Sequence, residues 1–539
     1  MICLAAALLG IAASVFIVVR NGAVDRLGLE QSPEVLSQKA REIIGHLGYE
    51  GRPVDSASGF FEDSDFSDYV EKNDKPHPQW NQILAARPSL MEFWYRQSPQ
   101  YMAAKEFRDM LLTTGVVSEN DPAPILSGMI NVRLDPKGRL TYFEAIPPQV
   151  VAASAPTTAF DWNVLFAAAG LDPSQYQSAA PSWNSLAASD ARAAWTGKWP
   201  GSLRPMRIEA AAWQGKPVFF SLIGDWNHPN RMKPPEQSVG RKASEAILLF
   251  LLIAMSVGAS LLARRHYRQG RGNRDGAFRL ARLVFGLLML LWLLRTHLTL
   301  SLETVALLVL SVSTALFVSG MIWLLYLALE PYVRRYQPHS IISWSRLLTG
   351  HIRDPLVGRD ILFGVVLGVV WILIFELRYL VMMRMGASPL LFTTDYLSGT
   401  RQAFGVWLYQ IPVSVLGTLQ FVVVLLGLKT VLKKDWLAGA AFVALFVTVK
   451  ALSSSYPAVE LPAQILVYSI AALVVLRFGL VPLACGIFTT DMLVNVPFGA
   501  DLSAWYMSTS IFALLSVAAL AAWAFYTSLG DEPLWKPDL

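Results

Sequence analysis

The chain reads as a polytopic α-helical membrane protein of about ten spans, with an α+β domain inserted after the first span. Three observations predict this class. The 539 residues are 54% hydrophobic and only 16% charged, with a mean hydropathy of +0.41; a soluble protein would carry about a quarter charged residues. Apolar runs recur from Ala243 to the C-terminus, each long enough to cross a roughly 30 Å hydrocarbon core as a helix. Residues 20–240, by contrast, have the composition of an ordinary soluble region.

The first element is the apolar run Ile2 to Val19, followed by Arg20. A secretory signal would need a basic start and small residues at a cleavage site after the apolar run. No Lys or Arg precedes residue 20, and Ala12-Ala13-Ser14 lies in the middle of the run. Residues 1–19 therefore read as a transmembrane anchor. The two cysteines, Cys3 and Cys485, both fall in apolar segments, so residues 20–240 have no disulfide framework.

Within 20–240, Glu34 to Leu47 has apolar residues at helical spacing and stops at Gly48. Met129 to Ile146 predicts two strands around an Asp-Pro-Lys-Gly turn, and Arg207 to Trp226 a second hairpin around Gln214-Gly215-Lys216. Trp162 to Ala169 predicts a short helix ending at Gly170. The order suggests two similar units, each a helix, an irregular aromatic stretch and a hairpin. Eight tryptophans, from Trp80 to Trp226, fit core packing or, alternatively, the lining of a ligand cleft.

Residues 241–539 form the membrane domain. Its nine expected spans are approximately 243–263, 279–296, 304–329, 361–382, 404–428, 437–453, 462–476, 479–496 and 504–527. The loop 264–282 has seven arginines, the loop 330–360 five, and 429–435 three lysines, with Arg477 at the next turn. The intervening loops 295–303, 383–402, 454–461 and 497–503 carry three arginines together. The positive-inside rule then puts both termini in the cytoplasm and residues 20–240 outside the cell membrane. The net charge of +5 follows from these basic loops rather than from nucleic-acid binding.

Catalytic patterns are missing from the sequence. No HExxH, GxGD, GxSG, Walker A or GxGxxG pattern occurs, and no histidine follows His351. His351-Ile352-Arg353-Asp354 is a poor match to a kinase catalytic loop, with an inserted Ile, a following Pro and no Asn at the required spacing. No enzyme activity, cofactor or metal is expected.

Four ionisable residues fall inside the expected spans: Glu376, Arg378, Lys450 and Asp491. At 1.5 Å per residue, Glu376, Lys450 and Asp491 lie about 22, 20 and 18 Å from the cytoplasmic ends of their spans, at similar height. Asn495, four residues after Asp491, shares its helix face. Charges at such depth usually face a bundle interior, so these five residues predict a polar cluster in the outer half. The plainer alternative is that Lys450 and Arg378 snorkel outward while the acids pair locally.

The stretch Glu330 to Asp360 (EPYVRRYQPHSIISWSRLLTGHIRDPLVGRD) resembles the membrane-proximal cytoplasmic loop of a group of bacterial membrane-anchored serine/threonine protein kinases. Phe93 to Pro99 (FWYRQSP), Val132 to Pro148 and Asp501 to Tyr506 are similar to other stretches of their extracytoplasmic and membrane regions. The likeness covers the portion that follows the kinase domain in that family. No Gly-rich loop, β3 lysine, H-R-D or D-F-G motif is present here, so kinase activity does not carry over. The resemblance implies a non-catalytic sensor or receptor-like protein whose cytoplasmic N-terminus is where a kinase would attach. Its expected partners are membrane lipid, a cytoplasmic signalling protein or kinase, and an extracytoplasmic ligand of unknown identity. The competing expectations are a solute transporter or channel built on the Glu376–Lys450–Asp491 layer, and a kinase whose catalytic half is encoded upstream.

Overall fold

The computed structural model describes residues 1–74, 78–150, 159–233, 238–336, 338–389 and 392–530. The position expected for the C-terminus rests on residues 531–539, which lie outside the described residues. Helix α1 (Ile2–Asn21) leads into a sheet domain. This contains α2 (Pro33–His46), β1 (Asp55–Glu62), α3 (Ser64–Asn73), α4 (Trp80–Ala85), β2 (Met91–Ser98), β3 (Ile130–Leu134), β4 (Leu140–Ala145), α5 (Asn163–Ala169), β5 (Gln177–Ala179), β6 (Ala191–Lys198), β7 (Pro205–Trp213) and β8 (Lys216–Ile223). The helical part comes next, with α6 (Val239–Arg268), α7 (Arg274–Arg295), α8 (Leu302–Tyr336), α9 (Ile342–Leu348), α10 (Pro355–Arg384), α11 (Thr400–Leu432), α12 (Asp435–Ser453), α13 (Pro457–Arg477), α14 (Leu480–Val494) and α15 (Met507–Leu529).

The eight strands form one antiparallel sheet in the order β1-β2-β3-β4-β8-β7-β6-β5. Each half is a helix followed by a four-strand meander: α2 then β1 to β4, and α5 then β5 to β8. The halves join edge to edge through β4 and β8, where Phe143 lies opposite Phe220. The two expected hairpins are the last two strands of each meander. Their turns explain their location. The Asp135 carboxylate accepts hydrogen bonds from the amides of Lys137 and Arg139, at 3.0 Å each, a side-chain-closed turn. Gln214 and Gly215 both have positive φ, 49° and 74°, as a two-residue turn between twisted strands requires.

One sheet face carries the main core. Phe60, Phe93, Tyr95, Val132, Phe143, Ile208 and Phe220 pack under Leu36, Ala40 and Ile44 of α2 and Leu165 and Phe166 of α5. Trp80, Trp199 and Trp226 are buried in it, the last two stacked with ring centroids 5.8 Å apart. The other face is more polar. Arg133 is paired with Glu119 and lies 4.9 Å from the rings of both Phe61 and Tyr142. Burial, opposed by Arg133 and reinforced by Asp63 and Glu119, pushes the neighbouring Glu92 carboxyl up to about 8.

Each of the ten expected spans coincides with a helix, and among the described residues nine of these are long and apolar enough to cross a membrane. The tenth is a correction. The segment 479–496 forms only the 15-residue α14, about 22 Å long, because the chain turns at Gly479 (φ 104°) and leaves helical geometry at Asn495. Even so, α14 joins the two ends of the bundle. Its start lies against the Ser340 backbone, and Asn495 at its end accepts a hydrogen bond from the Thr393 amide at 3.0 Å.

Helix α14 runs parallel to α10 at very short range. A Cβ at Gly364 would stand 2.7 Å from the Pro482 carbonyl oxygen, and one at Gly368 2.7 Å from that of Gly486. The four-residue spacing puts both glycines on one face of α10, the small-residue pattern that lets helix backbones touch. Gly364→Val is expected to destabilise the bundle by about 1–3 kcal/mol through overpacking. The measurement is thermal unfolding of the detergent-solubilised protein; an unchanged midpoint would contradict the close crossing.

Candidate functional site

The most elaborate polar structure is the junction between the sheet domain and the helical part. Every loop at one end of the bundle reaches it. At the end of α7, Arg295 is buried, its side chain 5% exposed. One guanidinium nitrogen donates to Asp109 in the sheet domain at 2.6 Å, and another to Asp395 in the turn Thr394–Leu397 at 2.7 Å. Its stem fits because α11 has Gly405 there: a Cβ would stand 2.6 Å from the Arg295 Cγ. The Tyr409 ring, one turn further along α11, lies 5.7 Å from the guanidinium carbon.

The two residues after Arg295 continue the junction. Thr296 Oγ1 donates to the Thr114 carbonyl at 2.9 Å, and the His297 amide to the Gly115 carbonyl at 2.8 Å. His297 Nε2 lies 2.8 and 2.9 Å from the two carboxylate oxygens of Asp55 on β1. Burial raises the affinity of Asp55 for a proton, but the hydrogen bonds from His297, Met102 and Ser56 outweigh it and hold the carboxyl below its ordinary range. Arg401 at the start of α11 donates to the Thr296 carbonyl at 3.1 Å.

Other loops dock in the same way. The Ser388 amide donates to Glu71 at 2.5 Å, the Trp80 indole to the Gly386 carbonyl at 3.2 Å, and Tyr456 to Glu71 at 3.4 Å. Before α15, the Ala500 amide donates to Asp25 at 2.8 Å and the Trp505 indole to the Leu29 carbonyl at 2.9 Å, with the Trp505 ring stacked on Phe60. Phe392, Leu397, Tyr506 and Met507 belong to the same buried core as the sheet domain. The arginine-rich turns lie at the other end of the bundle. There the Asn273 amide donates to Glu330 at 3.1 Å, and the Phe363 and Phe478 rings stack at 4.4 Å.

The five residues expected to form one polar cluster are dispersed. Arg378 donates to both carboxylate oxygens of Glu460 on α13, at 2.6 and 2.7 Å, and Gln464 donates to the same carboxylate at 2.7 Å. Glu376 is buried, 4% exposed, and lines a cavity of about 30 Å³ beside Val18, Asn21 and Tyr379. Asn495 donates to the backbone carbonyl of Asp491 at 2.7 Å, a bond within one helix end. Lys450 is exposed on α12. Equal height therefore does not by itself make residues neighbours: Arg378 bonds across to α13, Glu376 lines the cavity beside α1, and Lys450 is exposed. Two of the three arginines in the charge-poor loops, Arg295 and Arg401, are the ones that meet at the junction. An arginine adjoining an apolar run in such a loop was the available signal.

Among the described residues, no group of His, Cys, Asp and Glu is arranged to hold a metal ion. No family model, curated protein or solved structure matches the chain. None of these comparisons links the chain to the serine/threonine kinases that its local stretches resemble.

Two outcomes are expected. Arg295→Gln leaves two carboxylates facing a neutral side chain, and breaking a buried pair in this way costs about 3–5 kcal/mol. The lower end applies here because Asp395 is 27% exposed. Hydrogen exchange should show lost protection in residues 105–117, and unchanged exchange there would contradict the role given to Arg295. Asp55 has a depressed folded-state pKa, so its contribution is present above the unfolded value of about 3.9 and is lost as pH falls through the lower folded one. Exchange protection around Gly115 should persist down to about pH 4 and fall below it, while Asp55→Asn should remove that acid transition.

Proposed function

We propose that this chain is a non-catalytic, multi-pass membrane protein of the bacterial inner membrane, acting as a sensor or receptor-like module. Its arginine-rich end faces the cytoplasm, and the sheet domain lies outside. The observation that carries the reading is the junction. A folded domain is fixed to four separate loops of the bundle, to the end of α7 by charge pairs and to the other three by hydrogen bonds, so a change in the domain displaces the ends of several helices together. The charge bias of the loops supports the orientation. The likeness to the membrane region of serine/threonine kinases supports a signalling context, with a cytoplasmic kinase or other signalling protein as partner.

The transport reading draws no support from its own premise. It needs Glu376, Lys450 and Asp491 to face one interior path, and Lys450 is exposed on α12.

Orientation and coupling are testable separately. With Cys3 and Cys485 replaced by serine, a cysteine at Leu203 should react with a membrane-impermeant maleimide in intact spheroplasts, and one at Gln269 only after lysis. The reverse pattern would overturn the orientation. Coupling predicts that Arg295→Gln alters hydrogen exchange in residues 338–353 at the far end of the bundle; no change there would remove the sensor reading.

A further inference from the structure

A groove of about 490 Å³ opens on the bundle surface between α7 and α9, within the roughly 300–1,000 Å³ of small-molecule sites. Along α7 its lining follows one helical stripe. Arg279 and Arg282 come first, at the arginine-rich end, then Leu283, Leu287 and Leu290 toward the middle. The opposite wall is the end of α9, Leu347 and Leu348. Gly286 leaves the floor empty, since a Cβ there would meet nothing within 4 Å. From Arg279 to Leu290 the stripe is about 16 Å long at 1.5 Å per residue. That matches one leaflet of a hydrocarbon core roughly 30 Å thick.

The charges at the mouth are uncompensated. Arg279 and Arg282 are both exposed, and among the described residues neither has an ion-pair partner, not even Asp275 one turn earlier. The nearby Arg346 differs: it is held by Asp354 at 2.5 and 2.6 Å. A second groove of about 390 Å³, among α6, α8, α11 and α12, has no charged residue in its lining and supplies an internal contrast.

We propose that the α7–α9 groove binds one anionic phospholipid, with an acyl chain along the leucine stripe and the headgroup phosphate between Arg279 and Arg282. Guanidinium groups match phosphate oxygens in charge and geometry, and basic pockets between spans on the cytoplasmic side suit anionic headgroups. Zwitterionic lipid would fill the leucine stripe but leave the two cations without a net counter-charge. The proposal rests on the membrane orientation given above.

The test is native mass spectrometry of delipidated, detergent-solubilised protein titrated with phosphatidylglycerol or with phosphatidylcholine of the same chains. The wild type should take up one phosphatidylglycerol roughly twenty-fivefold more tightly than phosphatidylcholine, about fivefold for each arginine. Arg279→Gln/Arg282→Gln should lose that preference, and Gly286→Leu should weaken uptake by filling the groove. Arg271→Gln, a basic change outside the lining, should leave the preference intact. Equal wild-type affinity for both lipids, or a preference retained by the double variant, would overturn the site. Displacement of the lipid by inorganic phosphate would instead show an anion site with no role for the chain, also against the proposal. Unfolding midpoints of the variants exclude loss of fold as the cause. Failure of the membrane reading itself is seen separately, as protein released from membranes by alkaline carbonate.

Discussion

A guanidinium removed from water must keep its counter-charges, and at Arg295 this requirement organises the whole junction. Its two carboxylates come from different parts of the fold: Asp109 from the sheet domain and Asp395 from a loop between α10 and α11. Because neither can withdraw without stranding a buried charge, the end of α7 sets the register of the next two residues. Thr296 and His297 then meet Thr114, Gly115 and Asp55 through one backbone and two side-chain contacts. The alternative, a loosely tethered sheet domain, would leave the apolar surfaces of both parts to water. Instead, Phe392, Leu397, Tyr506 and Met507 extend the domain core into the bundle loops.

The fold was legible where local chemistry decides structure. Apolar length revealed the helices, and the Asp135 and Gln214–Gly215 turns located two hairpins. The first two strands of each meander were not anticipated, for a physical reason. In β2, Phe93 faces the main core while Trp94 packs with Met102 and Met129 on the other face, so both faces are apolar and the period-two signal is blurred. Strand β5 has three residues and only its pairing to β6 makes it a strand. The helix α14 was expected to span because its composition is apolar; its shortness comes from the turns at Gly479 and Asn495, which composition does not report.

The site was less legible than the fold. Depth along a helix can be counted from sequence, but direction around the bundle depends on which helices are neighbours. That is why Glu376, Lys450 and Asp491 count to one height and yet Lys450 lies exposed on α12 rather than beside the other two. The partner of Arg378, Glu460, lies two residues before the start of the expected span 462–476 and so was counted as loop. Arg295 was likewise counted toward orientation, where its meaning was statistical, although its role in the structure is to pair with two named carboxylates.

The strand order has a mechanical consequence. Every junction contact described above is made by residues 25–117 of the domain, the part that ends in the first meander. Strand β5 lies seven spacings from β1, roughly 34 Å across the sheet at about 4.8 Å per strand. Among the described residues, the junction contacts given above therefore gather toward the β1 side of the sheet, away from the β5 margin. A molecule bound near β5 would work at the long arm of a lever whose fulcrum is the β1 edge. A displacement there would arrive at Arg295 reduced in amplitude and increased in force.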